Sequence, residues 1–172
     1  MRPAAPLLVA TLIALTAGCG GGGKSAATSP TTRSTTTSGK SSAAQLKNAV
    51  RRALQEDDRL SGYVLWSNRV PASATRSTRG PALAALHRSA ADRRTRGIRI
   101  RTLSDRLEVT SIEIDPSYTK AIAVVRSIQR VQPYKGTKPS GRAVKLDERA
   151  KVELRRLGTS NHFVVWRVRV LG

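Results

Sequence analysis

The chain has 172 residues and carries 31 lysine and arginine residues against 11 aspartate and glutamate residues, so its formal net charge is +20. Its single cysteine excludes an intrachain disulfide and a metal site built from several thiolates. Aromatic residues make up 3% of the chain, which argues against the stacking surfaces that single-stranded nucleic acid requires.

The first residues have the organisation of an export signal. Arg2 precedes an apolar run over residues 4–16, which is shorter than a membrane-spanning helix needs to be. The small residues Ala17 and Gly18 come directly before Cys19, in the stretch LTAGC. This stretch resembles the cleavage and lipidation box of bacterial lipoproteins. The resemblance implies that Cys19 is diacylated at the extracytoplasmic face of the cell membrane; secretion with an incidental cysteine is the alternative.

The same region also matches a nucleotide-binding pattern, G-x-x-x-x-G-K-S, over residues 18–25. A phosphate-binding loop of this kind has to follow a strand and open a helix. The residues after Lys24 are rich in Ser, Thr, Gly and Pro and have no apolar period, so they predict no helix. The lipoprotein interpretation is therefore favoured.

Composition divides the chain into three parts. Residues 1–18 are predicted to be the signal peptide, residues 19–42 a lipidated cysteine with a flexible tether, and residues 43–172 a single basic domain. A tether of this composition separates the domain from the bilayer by on the order of 25 Å. Its Thr/Ser cluster is typical of O-glycosylated stalks and equally of a bare linker.

Apolar periodicity predicts two helices at the start of the domain. Residues 43–60 have an apolar stripe at helical spacing, and Asp57 falls on that stripe. Residues 61–70 form a short apolar patch that fits a strand or a packed loop. A second helix is predicted between Gly80 and Gly97.

After Gly97 the apolar residues alternate with charged ones, which predicts strands. A change of phase near Thr110 and Ser111 predicts a β-bulge. The predicted strands cover residues 98–114, 118–132, 144–155 and 162–171, with a turn at residues 133–141. Two helices followed by a meander of four to five antiparallel strands predict an α+β fold in which the N-terminal helices pack on a curved sheet.

This order resembles the nuclear-transport-factor-2-like, or cystatin-like, α+β roll. The resemblance covers nearly all of the domain and depends on the helix–loop–helix opening before Gly97, the long bent strands and the closing V-V-W-R-V around Trp166. It implies a cone-like cavity between helices and sheet. Such rolls serve isomerases, dehydratases and noncatalytic binding domains alike, so the fold does not select a function.

Two residues are candidates for acid–base catalysis in such a cavity. His87 is predicted on the apolar side of the second helix, and Glu148 on the apolar phase of its strand. The alternative for His87 is a structural hydrogen bond to Asp92 or to a carbonyl group, and for Glu148 an ion pair with an arginine of an adjacent strand. His162 is predicted to lie exposed in a turn. No metal site and no cofactor are predicted.

Basic residues occupy the alternate phase of the last two strands: Arg149 and Lys151, then Arg167 and Arg169. If those strands are neighbours, they form one positively charged sheet face. The expected partners are anionic lipid headgroups or cell-wall polymers, whereas nucleic acid is disfavoured. The alternative is that an arginine-rich genome produces solvated arginines without a partner.

We therefore expect a membrane-anchored exported lipoprotein with a noncatalytic domain that binds a ligand or an envelope component. The alternatives are a small roll-fold enzyme with isomerase-like or dehydratase-like chemistry, or a scaffold for an envelope protein complex. The apolar patch at residues 63–66 fits the scaffold, and it equally fits a cap on the core.

Overall fold

The computed structural model describes residues 42–171. The predicted signal peptide, Cys19 and all of the predicted tether except its last residue lie outside this range. The described residues form an α+β fold, as the sequence predicts. Two helices and a short 3-10 helix precede five strands: α1 Ala43–Ser67, the 3-10 helix Ala72–Arg76, α2 Gly80–Thr95, β1 Ile98–Ile114, β2 Lys120–Lys135, β3 Lys138–Pro139, β4 Val144–Arg156 and β5 Phe163–Leu171.

Helix α1 begins at a capping box and is longer than predicted. The Ser42 hydroxyl accepts from the Gln45 amide, and the Gln45 side chain accepts from the Ser42 amide. The prediction of a strand or loop at residues 61–70 was wrong up to Ser67, because Val64 extends the buried stripe by further turns. The patch at residues 63–66 is divided: Val64 is buried, whereas the Trp66 side chain lies at the surface.

The strands form one antiparallel sheet in the order β1-β2-β4-β5, with β3 paired to β2. The predicted bulge is confirmed by a register shift between Val109 and Ser111, and a second shift lies between Thr102 and Ser104. Strand β2 continues through Pro133, where a turn was predicted. Proline is tolerated there because the pairing of β2 with β4 ends earlier, at Val131.

The helices cover one face of this sheet, which we call the inner face. The core joins Leu46, Val50 and Leu54 of α1 to small and branched residues of β2, β4 and β5. Phe163 and Leu154 are its largest fully buried sheet residues. Every side chain of this core lies within residues 46–165, so a fragment 42–172 retains it whole.

The segment before α2 pairs with the start of β5. The Arg79 amide donates to the Val165 carbonyl at 2.9 Å, and the Val165 amide donates to the Ser77 carbonyl at 2.8 Å. The chain then turns at Gly80, whose φ is +56° and where a Cβ atom would lie 2.8 Å from the Trp166 ring. Glycine is therefore required at this approach for both conformation and space.

Candidate functional site: a cavity with an acidic end

A cavity of about 250 Å³ lies between the helices and the inner face of the sheet. Its lining consists of ten apolar residues, all of them Ala, Val or Leu, and seven polar ones. Polar residues line part of the cavity because the inner face changes from apolar to polar along two strands. On β2, Val125 is followed by Ser127 and Gln129, and on β4, Glu148 precedes Ala150. An apolar cavity with a few convergent polar groups is typical of a small-ligand site.

Asp57 brings a carboxyl group from the apolar stripe of α1 to this cavity. The hydroxyl of the fully buried Thr78 donates a hydrogen bond to Oδ1 of Asp57. Burial raises the pKa of Asp57 to about 6, and the bond from Thr78 opposes that shift. The side chain therefore changes its charge close to neutral pH.

The neighbouring Asp58 also lines the cavity and lies close to Asp105 of β1. Burial raises the pKa of Asp58 to about 7, with further contributions from the charge of Asp105, a hydrogen bond between the two carboxyl groups and the charge of Asp57. Gln129 Nε2 donates to Asp105 Oδ2 at 3.3 Å. Asp57, Asp58 and Glu148 therefore line the cavity of this basic chain, and Asp105 lies next to Asp58.

The structure does not bring the two catalytic candidates together. Glu148 lines the cavity, as its strand phase predicts, and makes no ion pair within residues 42–171. His87 is exposed and is not among the lining residues, so its predicted apolar placement was wrong. The inward position next to it belongs to Leu86, about 100° around the helix. Asp92, a predicted partner of His87, pairs with Arg96 instead.

His162 is exposed in the turn before β5, and its Nε2 lies 2.6 Å from the Arg76 carbonyl oxygen. No set of three or more His, Cys, Asp or Glu residues in the described range is arranged to hold a metal ion. Within the same range, neither helix combines the length and apolar character needed to cross a membrane.

The opposite face of the sheet, which we call the outer face, carries the predicted basic residues. Strands β4 and β5 are neighbours, and their register places Lys151 directly opposite Arg169 and Arg167 directly opposite Glu153. Arg149 lies opposite Arg126 of β2, which itself binds Asp147 at 2.8 and 2.7 Å.

All four predicted basic residues are exposed, and none forms an ion pair within residues 42–171: Arg149, Lys151, Arg167 and Arg169. Directly opposed like charges on neighbouring strands destabilise a sheet. Lys151 with Arg169 is such a pair; Arg149 also lies opposite a cation, Arg126, whose charge is partly neutralised by Asp147. The outer face is therefore a surface on which a bound anion relieves repulsion.

Comparison with known proteins informs the fold alone. No protein-family model matches the chain, and no curated protein matches it in sequence. Among solved structures, the intermembrane space region of the chloroplast protein ARC6 is similar, with a TM-score of 0.61 and 10% sequence identity. The similarity covers 72% of this chain and 95% of that one.

Proposed function

We propose that this chain is a lipid-anchored extracytoplasmic protein whose domain binds a small amphiphilic cation in the cavity, without changing it chemically. The observation that carries the proposal is the combination of an apolar wall with Asp57 and Asp58 at one end. The segment that supports the anchor, LTAGC with Cys19, lies outside the described residues.

The charge of the ligand is inferred from the free energy that it costs to keep the ionised carboxyl groups away from water. Desolvation disfavours the ionised forms of Asp57 and Asp58, which is why their pKa values are raised. A bound ammonium group offsets that cost and favours ionisation, whereas an anionic ligand increases it. The ten apolar residues of the wall then accommodate a short hydrocarbon body.

Native mass spectrometry of fragment 42–172, exported to a bacterial periplasm and purified without detergent, tests for a ligand directly. A copurifying species of defined mass supports the proposal and identifies the chemistry. Hexylamine is then titrated by calorimetry, with hexanoate as the oppositely charged control. Since the amine stays charged, its binding is expected to strengthen between pH 5 and pH 8 as Asp57 and Asp58 ionise.

The variant Asp57→Asn is expected to weaken hexylamine binding by about tenfold, because one charge-assisted hydrogen bond is lost. Glu113→Gln is the matched control, since Glu113 is exposed on β1 and does not line the cavity. Equal binding by both variants, or stronger binding of hexanoate than of hexylamine, contradicts the proposal.

The anchor has its own test. Full-length chain is expected to partition into the membrane fraction and to incorporate labelled palmitate, and Cys19→Ser is expected to lose both. Membrane association of Cys19→Ser equal to that of the unchanged chain argues against lipidation.

A second function, binding of an anionic envelope surface, is favoured by the opposed like charges of the outer face. Each basic residue near an anionic membrane contributes about 1 kcal/mol. None of the four basic residues of the outer face forms an ion pair within residues 42–171, although Glu153 lies directly opposite Arg167, so most of their charge remains available to an anionic surface.

A further inference from the structure

A second concavity, of about 440 Å³, lies where both helices end and β1 begins. Four of its eight lining residues are cationic: Arg69, Arg94, Arg99 and Lys135. None of its lining residues is acidic. None of the four cations forms an ion pair within residues 42–171. We call this concavity the basic pocket.

The rim of the basic pocket is fixed by a buried polar network. Helix α1 ends at Asn68, which adopts the left-handed conformation with φ of 54°. The Asn68 side chain donates to the Ile98 carbonyl at 2.6 Å and accepts from Arg93 Nε at 3.1 Å. Arg93 Nη2 also donates to the Val64 carbonyl at 3.3 Å. The ends of α1 and α2 and the start of β1 are therefore joined to one another.

Arg93 places a fifth positive charge beside the pocket. It is only 8% exposed, and burial lowers the pKa of its guanidinium group; the charge of Asp92 opposes that shift only in part, and no carboxylate forms an ion pair with Arg93 within residues 42–171. A buried charge without an opposite partner is costly. An anion in the adjoining pocket offsets that cost.

Acidic residues are scarce in this part of the chain. Residues 60–102 contain nine arginines and one acid, Asp92, whose carboxylate is bound by Arg96 at 2.9 Å. On the other side of the pocket, Lys135 is directly opposite Lys138 across the β2–β3 turn. The positive potential is therefore not neutralised by the described surroundings.

Two glycines keep the concavity open. Gly97 and Gly136 line it with φ of +64° and +62°, and they present only backbone to its interior. Positive φ values favour glycine, so these positions are kept free of side chains by the turns themselves. The remaining volume exceeds what a bare inorganic anion needs and lies in the range of small-molecule sites.

An aromatic pair borders the cationic residues. The guanidinium of Arg99 lies 5.9 Å from the Trp66 ring centroid, and Trp66 meets Tyr134 edge-on at 5.3 Å. Trp66 is 40% exposed. The contact orients Arg99 and leaves a flat apolar surface beside the charges.

We propose that the basic pocket binds a phosphate monoester carried on a sugar-sized group. Guanidinium groups bind phosphate oxygens through paired hydrogen bonds, and a phosphate monoester supplies close to two negative charges for the converging cations. This site is separate from the acidic cavity, with which it shares no lining residue.

The full-length chain in a neutral detergent is titrated by calorimetry with two probes, glucose 6-phosphate and the soluble lipid dihexanoyl phosphatidic acid. Both carry a phosphate monoester. Preference for the first identifies a free sugar phosphate as the source of the group, and preference for the second identifies a lipid headgroup. The double variant Arg94→Gln/Lys135→Gln is expected to weaken binding of the preferred probe by about tenfold or more.

The matched control is Lys47→Gln/Arg52→Gln, which removes the same charge from exposed positions of α1 that line neither concavity and is expected to change binding by less than about twofold. Amide resonances of Gly97 and Gly136 are expected to shift on binding in nitrogen-15-labelled protein, while that of Gly158 stays in place. No binding of either probe at millimolar concentration, equal losses in both double variants, or unmoved Gly97 and Gly136 resonances overturns the proposal.

Discussion

The two faces of the sheet differ in how far their charged side chains are exposed to solvent. Along β4, Lys145, Asp147, Arg149 and Lys151 point to the outer face, while Leu146, Glu148, Ala150 and Val152 alternate with them on the inner face. Cations on the outer face are exposed to solvent, whereas Asp57 and Asp58, which α1 brings to the cavity on the inner side, have raised pKa values because burial desolvates their carboxyl groups. A charged residue therefore indicates a binding site more strongly where burial makes its charge unfavourable than where solvent surrounds it.

Reversing the charge of the outer face has the largest expected effect. Vesicles of phosphatidylglycerol and phosphatidylcholine are expected to bind fragment 42–172 in a salt-sensitive manner. Replacing the four basic residues by glutamate is expected to remove about 4 kcal/mol, which abolishes measurable cosedimentation. The variant carries Arg149→Glu, Lys151→Glu, Arg167→Glu and Arg169→Glu.

A control variant makes the same change of net charge on the helices, with Lys47→Glu, Arg52→Glu, Arg59→Glu and Arg88→Glu. These four residues are also exposed. Retention of binding in the control and loss in the outer-face variant locate the interaction. Equal loss of binding in both variants shows that only net charge matters. Failure of the unchanged fragment to bind the vesicles at low salt as well as at high salt shows that the outer face is not a membrane-binding surface.

Two substitutions in β4, one on each face, compare how much the two faces contribute to the free energy of unfolding. Leu154 is fully buried, and Leu154→Ala is expected to lower the free energy of unfolding by about 3 kcal/mol through lost burial and a residual cavity. Lys151→Ala, on the outer face, is expected to change it by less than about 0.5 kcal/mol. Urea denaturation of fragment 42–172 measures both values. Similar losses in the two variants would show that the outer face is packed against something in solution.

Alternation along the strands allowed the sequence to predict which residues share a face. Lys151 and Arg169 were assigned to one surface because both lie out of phase with their apolar neighbours, and the register confirms it. The end of α1 was not predicted, because the segment YVLW is rich in residues typical of strands and Gly62 interrupts the helical pattern. The buried position of Val64 decides in favour of the helix.

The sites were harder to predict than the faces. Asp57 was visible as an acid on an apolar stripe, but its partner Thr78 lies 21 positions away in a loop. The basic pocket left no local pattern, since Arg69 follows α1, Arg94 lies in the last turn of α2 and Lys135 is the last residue of β2. Only the packing of both helix ends against the start of β1 brings them together. Composition indicated that positive charge was abundant, and tertiary structure decides where it converges.

Asp57→Asn is the most discriminating of these changes. The pKa of Asp57 is raised from 3.8 to about 6 in the folded protein. A raised carboxyl pKa stabilises the fold below pH 4, and this contribution is lost as pH rises through 6. Asparagine has no such loss and still accepts the Thr78 hydrogen bond, so the variant is expected to be about 3 kcal/mol more stable at pH 8 and nearly unchanged at pH 3.

The same variant is expected to bind hexylamine more weakly, so stability and binding change in opposite directions. That combination distinguishes a residue retained for binding from one retained for the fold. Thermal unfolding of fragment 42–172 between pH 3 and pH 8 measures the first effect, with Glu113→Gln as the control that follows the unchanged protein. A loss of stability in Asp57→Asn at pH 8 would make Asp57 a structural partner of Thr78, and the cavity would then have no argument for a cationic ligand.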